Sequence, residues 1–423
     1  MRPEAPESIL AEPVIIPRSQ HRLSRKDIDL EALKVLYRLY HAGYKAYLVG
    51  GSVRDLLLGK PPKDFDVATD ARPGEIRKLF RNSRIIGRRF RLVQVFFRGG
   101  KIVEVSTFRR RSEFDAEPEE PPSREPTYGT PGEDARRRDL TINGLFYDIG
   151  SFSLVDYVGG LADLEQGYIR VIGDPGLRFS RDPVRMLRVL RHAARTGFAI
   201  DPSTWEEIKS KGPLIRACPV ARVRDELFKD FRSGAARPFL ELMLASRLFY
   251  AIFPAWESRL GEAGEFRLLE LFGRVDTVHR AGHALSENLL WAVFLSPYLE
   301  RQAERSPNLR EWRDFVQESL REALAGMEIP KQRREEVSQV LALEAVLGQL
   351  VRERRPLPLR RTRLAAFPEA RLLIWLKEGA LTEVLANLAA VASLPPPTPP
   401  RRRRPRRRRR FPKGRRPAAG GEG

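Results

Sequence analysis

The sequence predicts an α+β protein: an N-terminal head on a small mixed β-sheet, an all-α neck and body, and a disordered basic tail. Three observations carry that expectation. Short β-rich runs, glycine turns and short helical segments alternate up to about residue 173. From Asp182 to about residue 390 helical periodicity dominates, with no convincing strand. Then "LPPPTPP" breaks the last helix and "RRRRPRRRRRFPKGRRP" follows. The 423 residues suffice for two or three domains. The divisions expected are a flexible leader (1–26), head (27–173), neck (174–240), body (241–390) and tail (391–423).

Each element follows from a local pattern. "RKDIDLEALKVLYRLYHAGY" places Ile28, Leu30, Leu33, Leu36, Leu39 and Tyr40 at helical spacing, and Gly43 is its stop. "AYLVGG" reads as a strand entering a glycine turn, "VRDLLLG" as a short helix and "DFDVAT" as a second strand. After another short helix, at about 73 to 81, "LVQVFF" and "KIVEVS" flank Gly99 and Gly100 as a hairpin. From Arg109 to Pro131 periodicity is lost in favour of Pro, Glu, Ser and Arg, which predicts a mobile loop. "EDARRRDLTINGLFYDI" recovers amphipathic character. No internal repeat of fixed period is present.

Composition bounds the function. Formal net charge is +21, and Arg401 to Arg416 holds 12 Lys/Arg and no acid. The rest of the chain is still basic, which points first to nucleic acid and second to an anionic membrane surface. Cys218 is the only cysteine, so a disulfide within the chain is excluded, a Cys-based zinc site is disfavoured and a reducing cytoplasm fits. The N-terminus lacks a basic region followed by an apolar run, and no segment reaches the ~18 apolar residues of a spanning helix.

The chemistry concentrates in "GGSVRDLLLGKPPKDFDVATD", Gly50 to Asp70. Residues i and i+2 of a strand share a face, so Asp64 and Asp66 point together while Phe65 and Val67 face the core. Adjacent carboxylates raise each other's pKa unless a cation neutralises them. Magnesium suits the task, because it takes carboxylate and phosphate oxygens. Two such ions, ~3.5–4 Å apart, activate an attacking hydroxyl and stabilise a leaving oxygen. Gly50, Gly51 and Ser52 open a strand-to-helix turn whose N–H groups can approach a phosphate, and Arg54 lies one helical turn on. An anion cradle beside a carboxylate pair predicts nucleotidyl transfer from a nucleoside triphosphate.

At these residues the sequence resembles the class II nucleotidyltransferases, which include tRNA CCA-adding enzymes and bacterial poly(A) polymerases. "YLVGGSVRDLLLGKPPKDFDV" looks like their signature, "RRDLTINGLFYD" (Arg137 to Asp148) like their second motif and "RDPVRMLRVLRHAARTGF" (Arg181 to Phe198) like their base-recognising helix. The likeness covers roughly residues 20 to 240. "IIGRRFRLVQVFF", "IPRSQHRLSRKDIDLEALKVLYRL", "FPAW", "IPKQRREEV" and the Arg-rich end resemble the polymerase branch. The chain departs from the family pattern at Gln94, where polymerases usually carry His, and at Arg181, where the base-reading motif usually begins with Glu.

The resemblance implies a nucleotidyltransferase head that adds AMP from ATP to RNA 3′ ends without a template, in RNA processing and decay. It assigns Asp64 and Asp66 to two magnesium ions, with Glu104 and Asp139 as alternative third carboxylates. Arg137 and Arg138 are candidates for triphosphate or primer phosphate. Asp182, Arg185, Arg188 and Arg191 recur every third residue, a slowly winding stripe on a helix that can present an acceptor and donors to a base edge. Met186, Leu187, Leu190 and Ala193 fall opposite and read as core. The tail, Arg401, Arg402, Arg403, Arg404, Arg406, Arg407, Arg408, Arg409 and Arg410, reads as a non-specific RNA binder acting by counterion release. A sorting, solubility or membrane-surface role is its alternative. His279 and His283 have metal-binding spacing without a third ligand and read as packing or surface, and the tryptophans read as core or body surface. Rival readings are a CCA-adding or A-adding tRNA nucleotidyltransferase and a non-catalytic RNA-binding protein. RNA chaperones and RNA-decay enzymes are the partner classes left open.

Overall fold

The computed structural model describes residues 12–87, 91–110, 128–300, 309–325, 327–352 and 359–392. The Arg-rich tail, the first 11 residues and most of the loop between Arg109 and Pro131 lie outside them. The head is an eight-stranded sheet. Its elements in chain order are β1 (Val14–Ile16), α1 (Leu30–His41), β2 (Ala46–Val49), α2 (Gly51–Leu57), β3 (Asp66–Thr69), α3 (Pro73–Leu79), β4 (Ser83–Ile86), β5 (Leu92–Phe96), β6 (Ile102–Thr107), α4 (Pro131–Arg136), β7 (Leu145–Asp148), β8 (Leu154–Asp156) and α5 (Gly160–Gln166). The spatial order is β1-β8-β7-β2-β3-β6-β5-β4, antiparallel throughout except for β3 beside β6.

Local chemistry explains the elements that place the site. Asp29 accepts the N–H groups of Glu31 and Ala32 to start α1, whose Ala32, Val35, Leu36 and Leu39 are buried. The β5–β6 hairpin turns through Gly99 and Gly100, both at positive φ. Asp156 accepts N–H bonds from Val158, Gly160 and Leu161, which fixes the approach to α5.

The remainder is helical apart from β9 (Tyr168–Ile169) and β10 (Ala199–Ile200), a short parallel pair. Its helices are α6 (Pro175–Arg181), α7 (Val184–Thr196), α8 (Pro202–Lys211), α9 (Val220–Phe231), α10 (Ala236–Ala245), α11 (Leu248–Ile252), α12 (Gly261–Arg280), α13 (Glu287–Glu300), α14 (Leu309–Ala323), α15 (Lys331–Arg352), α16 (Leu359–Thr362), α17 (Phe367–Glu378) and α18 (Leu381–Ala392). Trp256, Phe249, Phe253, Phe294 and Tyr298 pack as an aromatic core, with Trp256 and Phe294 centroids 4.7 Å apart. Among the described residues no helix is long and apolar enough to cross a membrane.

The structure corrects the leader. Val14, Ile15 and Ile16 pair with Asp156, Val155 and Leu154 as an edge strand, and Leu23 is buried. A three-residue strand is too short to show a period in the sequence.

Candidate active site

The site begins at the end of β3. Register sets Asp66 beside Glu104 of β6 and Val49 of β2, while Val67 is buried beneath. Asp64 precedes the strand, outside the alternation expected of it, and both aspartates are exposed. The Asp66 carboxyl is pushed up to about 6. The surrounding protein displaces bulk water from it, though its side chain stays reachable, and Glu104 adds like charge; Arg138 opposes and Asp64 adds a smaller push. Gln94 donates to Glu104 Oε1 at 2.9 Å, which holds that carboxylate in place.

Among the described residues no group of three or more His, Cys, Asp or Glu side chains is gathered closely enough to hold a metal ion by itself. The donor chemistry nevertheless fits magnesium, which is usually bound by one or two carboxylates together with substrate phosphates. A carboxylate whose charged form is this disfavoured gains from a neighbouring cation.

Opposite lies the glycine turn. Gly50 sits at φ +73°, and a Cβ there would come within 3.1 Å of Arg138 Nη1. The turn therefore lets Arg138 close on the backbone where a phosphate would approach. Buried Asp134 divides two arginines: Oδ1 accepts from Arg137 Nε at 2.7 Å and Oδ2 from Arg138 Nη2 at 3.1 Å. Burial would raise the Asp134 carboxyl, but Arg138 and Arg137 hold it below the usual range.

Two residues of the turn differ from expectation. Ser52 is buried and donates its hydroxyl to the Val49 carbonyl at 2.9 Å. Arg54 is bonded within the protein, to Asp55, to Asn143 Oδ1 at 2.5 Å and to His192 Nδ1 at 3.3 Å. These last two partners lie 89 and 138 residues away in sequence. Arg54 instead braces Gly51, whose hypothetical Cβ would lie 3.4 Å from Nη2.

Asp139 organises the seam between head and neck. It accepts from Asn143 Nδ2 at 3.3 Å and pairs with Arg188 at 3.2 Å. Burial alone would raise its carboxyl, yet Arg188 and the Asn143 bond help hold it well below the usual range. His192 is pushed down to about 3, chiefly by burial and then by Arg54. A guanidinium can only donate, so Nδ1 accepts and the ring proton sits on Nε2, which then makes no hydrogen bond to the Asn143 amide nitrogen 3.5 Å away, itself a donor. Sequence reasoning gave neither Asn143 nor His192 a part in the site. The signals are there: Asn143 is four residues past Asp139 in "RRDLTIN", and His192 is four past Arg188.

The expected stripe of Asp182, Arg185, Arg188 and Arg191 is broken in the structure. Asp182 caps the end of α6 and α7 begins only at Val184, so the four do not share one helix. Asp182 is buried, 3.5 Å from Arg185, and receives both guanidinium nitrogens of Arg222 at 2.8 and 2.9 Å. Arg191 is turned away to a buried clamp, bonded to Asp230 at 2.7 and 2.8 Å and paired with Glu226. Its place in the nucleotide site is corrected accordingly. Arg185 remains at the seam, donating to the Arg138 carbonyl at 3.3 Å.

A mixed sheet that carries Asp66 and Glu104 beside a glycine turn, joined to a helical neck through the Asp139–Arg188 and Arg138–Arg185 contacts, is the arrangement of a nucleotidyltransferase. Residues 46–170 match the poly(A) polymerase head domain, and residues 197–260 match the probable RNA and SrmB-binding site of polymerase A. Poly(A) polymerase I of Salmonella typhi is 42% identical over 346 residues, 77% of this chain and 74% of that protein. The CCA-adding enzyme of Bacillus licheniformis is 32% identical over 76% of this chain and 77% of its own. The Bacillus stearothermophilus CCA-adding enzyme in complex with CTP superposes with a TM-score of 0.63 at 25% identity, covering 85% of this chain and 81% of that one. The chain belongs to the poly(A) polymerase family.

Proposed function

We propose that this protein is a polynucleotide adenylyltransferase: it transfers AMP from ATP to RNA 3′ ends without a template and releases pyrophosphate. The observation that carries the reading is the register of β3 and β6, which seats Asp66 beside Glu104 opposite the Gly50 turn. Asp64 and Asp66 are the residues that would hold two magnesium ions. When bound, the ions supply Lewis acidity at the attacking 3′-hydroxyl and at the leaving phosphate oxygen.

The protein's own contribution is positional. Gly50 leaves room for Arg138, which, held by Asp134, brings positive charge to the turn where a phosphate would approach. Arg185 and Arg222, ordered by Asp182, present donors that choose the incoming base in place of a template strand. Asp139 fixes Arg188 and the seam rather than reaching the reacting atoms. Basic charge throughout the chain favours RNA as partner, with the cytoplasm as the compartment where the reaction runs.

The similarity to CCA-adding enzymes favours a second reading, nucleotide addition to tRNA. Incubation with each of the four triphosphates on one unstructured RNA primer, and in parallel on tRNA lacking its CCA end, separates the two. Repeated A addition to the unstructured primer is expected. CTP incorporation confined to tRNA would replace the first reading with the second. The variant Asp64→Ala with Asp66→Ala is expected to lose extension altogether; wild type no better than this variant would leave an RNA-binding protein without catalysis.

A further inference from the structure

Asp66 has a neighbour strand on each side: Val49 of β2 pairs with it on one, Glu104 of β6 on the other. The Gly50 turn follows β2 directly and Arg138 closes on it, which puts the incoming triphosphate on the β2 side. An in-line displacement sets the attacking and leaving oxygens on opposite sides of the phosphorus. The RNA 3′-hydroxyl must then arrive over β6 and β5.

An apolar pair waits on that side. In the β5–β6 hairpin Gln94 pairs with Glu104, and two residues nearer the turn Phe96 pairs with Ile102. Alternate residues of a strand share a face, so Phe96 and Ile102 lie on the face of Glu104 and Asp66, roughly 7 Å along the strands from the Gln94–Glu104 pair. The intervening Val93, Val95, Val103 and Val105 belong to the other face and are buried. Phe96 is 37% exposed and Ile102 44%. Exposed apolar side chains scattered singly are ordinary, but these two are direct cross-strand neighbours beside the carboxylates. The Phe96 backbone is pinned as well: its N–H donates to the Asn82 carbonyl at 2.9 Å, and its carbonyl accepts from Asn82 Nδ2. Arg84 of β4 is exposed and pairs with Gln94, which sets its backbone about 14 Å from that of Asp66, three strand spacings away. An apolar plate flanked by carboxylates toward β3 and a guanidinium on β4 suits a nucleotide whose hydroxyl points to the metal site and whose phosphate points away from it.

We propose that Phe96 and Ile102 form the platform on which the 3′-terminal nucleotide of the RNA rests. Phe96 stacks on the terminal base and Ile102 packs beside it, so that the 3′-hydroxyl reaches Asp64 and Asp66. Stacking on an aromatic ring tolerates any base, which suits a primer site that reads no template. The inference rests on the nucleotidyl-transfer reading and gives its second substrate a seat.

A short oligoadenylate ending in the fluorescent base 2-aminopurine tests it, because stacking quenches that base. Full-length wild type, Phe96→Ala, Phe96→Tyr and Phe266→Ala are titrated with it in magnesium without ATP; Phe266 is an exposed aromatic of α12, far along the chain in the body. Wild type, Phe96→Tyr and Phe266→Ala are expected to quench the terminal base at saturation, and Phe96→Ala to leave it bright. Once ATP is added, Phe96→Ala should raise the primer KM about tenfold and leave the KM for ATP within about twofold, as the loss of one base–aromatic contact requires. A terminal base left bright by wild type, or quenched equally by wild type and Phe96→Ala, overturns the platform. So does a Phe96→Ala defect confined to the KM for ATP. Thermal melting shows that each variant is folded, and Phe96→Leu, apolar without a ring, replaces the alanine variant if that one is not. The quench needs no turnover, so absence of primer extension by wild type would sink the underlying reaction and not the platform.

Discussion

Gly50 holds a backbone conformation, φ +73° and ψ −140°, that side-chain-bearing residues rarely adopt, and Arg138 occupies the space a Cβ would need. Gly50→Ala is therefore expected to cost about 1–3 kcal/mol of stability and to raise the KM for ATP by pushing Arg138 aside. Chemical denaturation and steady-state kinetics check both; an unchanged KM would detach the turn from the phosphate. His192 gives a second residue-scale test. Its folded pKa of about 3 lies below the ordinary 6.5, so between those values the unfolded chain binds the extra proton. Stability must then fall as pH drops from 6.5 toward 3, and it is regained as pH rises. His192→Gln is expected to flatten that slope by on the order of 1–2 kcal/mol at pH 4.5, trimmed by partial solvent access to the ring. An unflattened slope, by denaturant titration at several pH values, would place the ring in water. The same residues divide what a sequence can reveal from what it hides. Asp66 is legible because it opens a strand in which alternate residues share a face; Asp64 lies before that strand, so the two-residue period alone does not place it. Arg54 and Arg191 are not legible. A guanidinium goes to whichever acceptor the fold brings near, and Asn143 and Asp230 are brought near only by tertiary packing.

Between elements, the buried clamp from α7 to α9 carries the neck. Arg191 is bonded to Asp230 and paired with Glu226, and Arg195 reaches Asp230 at 3.3 Å. Burial raises the Asp230 carboxyl despite those arginines, whereas Arg191 and Lys229 hold Glu226 below its usual range against burial. Asp230→Ala would leave guanidinium charge buried with reduced compensation, and about 3–5 kcal/mol of stability should be lost by denaturant titration. Replacing both sides, Arg191→Met with Asp230→Leu, should recover most of that loss. A double variant as unstable as the single one would show that packing, not the unpaired charge, sets the cost. Helices such as α1 and the β5–β6 hairpin are legible because each carries its own period and stop signal. β1 and β8 span three residues each, and β7 is buried along most of its length, so none shows alternation. The packing of α5 on the turn at Thr141 is equally hidden: a Cβ on Gly160 would collide with the Thr141 carbonyl oxygen, a closeness no sequence period reports.

Across the whole molecule, the proposed function divides charge between a site that would position phosphates and a terminal run that would attract them. The formal charge of +21 includes 12 Lys/Arg between Arg401 and Arg416, beyond the last described helix. Arginines in such a run bind phosphodiesters by releasing counterions, without reading sequence. The seam of Arg185, Arg222 and Asp182 is instead tied into fixed hydrogen bonds, and fixed donors can discriminate one base from another. Affinity and nucleotide choice should therefore separate on truncation. A chain ending at Ala392 is expected to bind RNA more weakly at low salt. Its log affinity should fall less steeply with log salt, by ~0.7 for every phosphate that the terminal run neutralises in the full chain. At high salt the two chains should converge, because charges far apart on the surface are screened. The preference for ATP over CTP on a saturating primer should be the same for both. A truncated chain that accepted CTP more readily would mean that the terminal run reaches the seam and takes part in choosing the base.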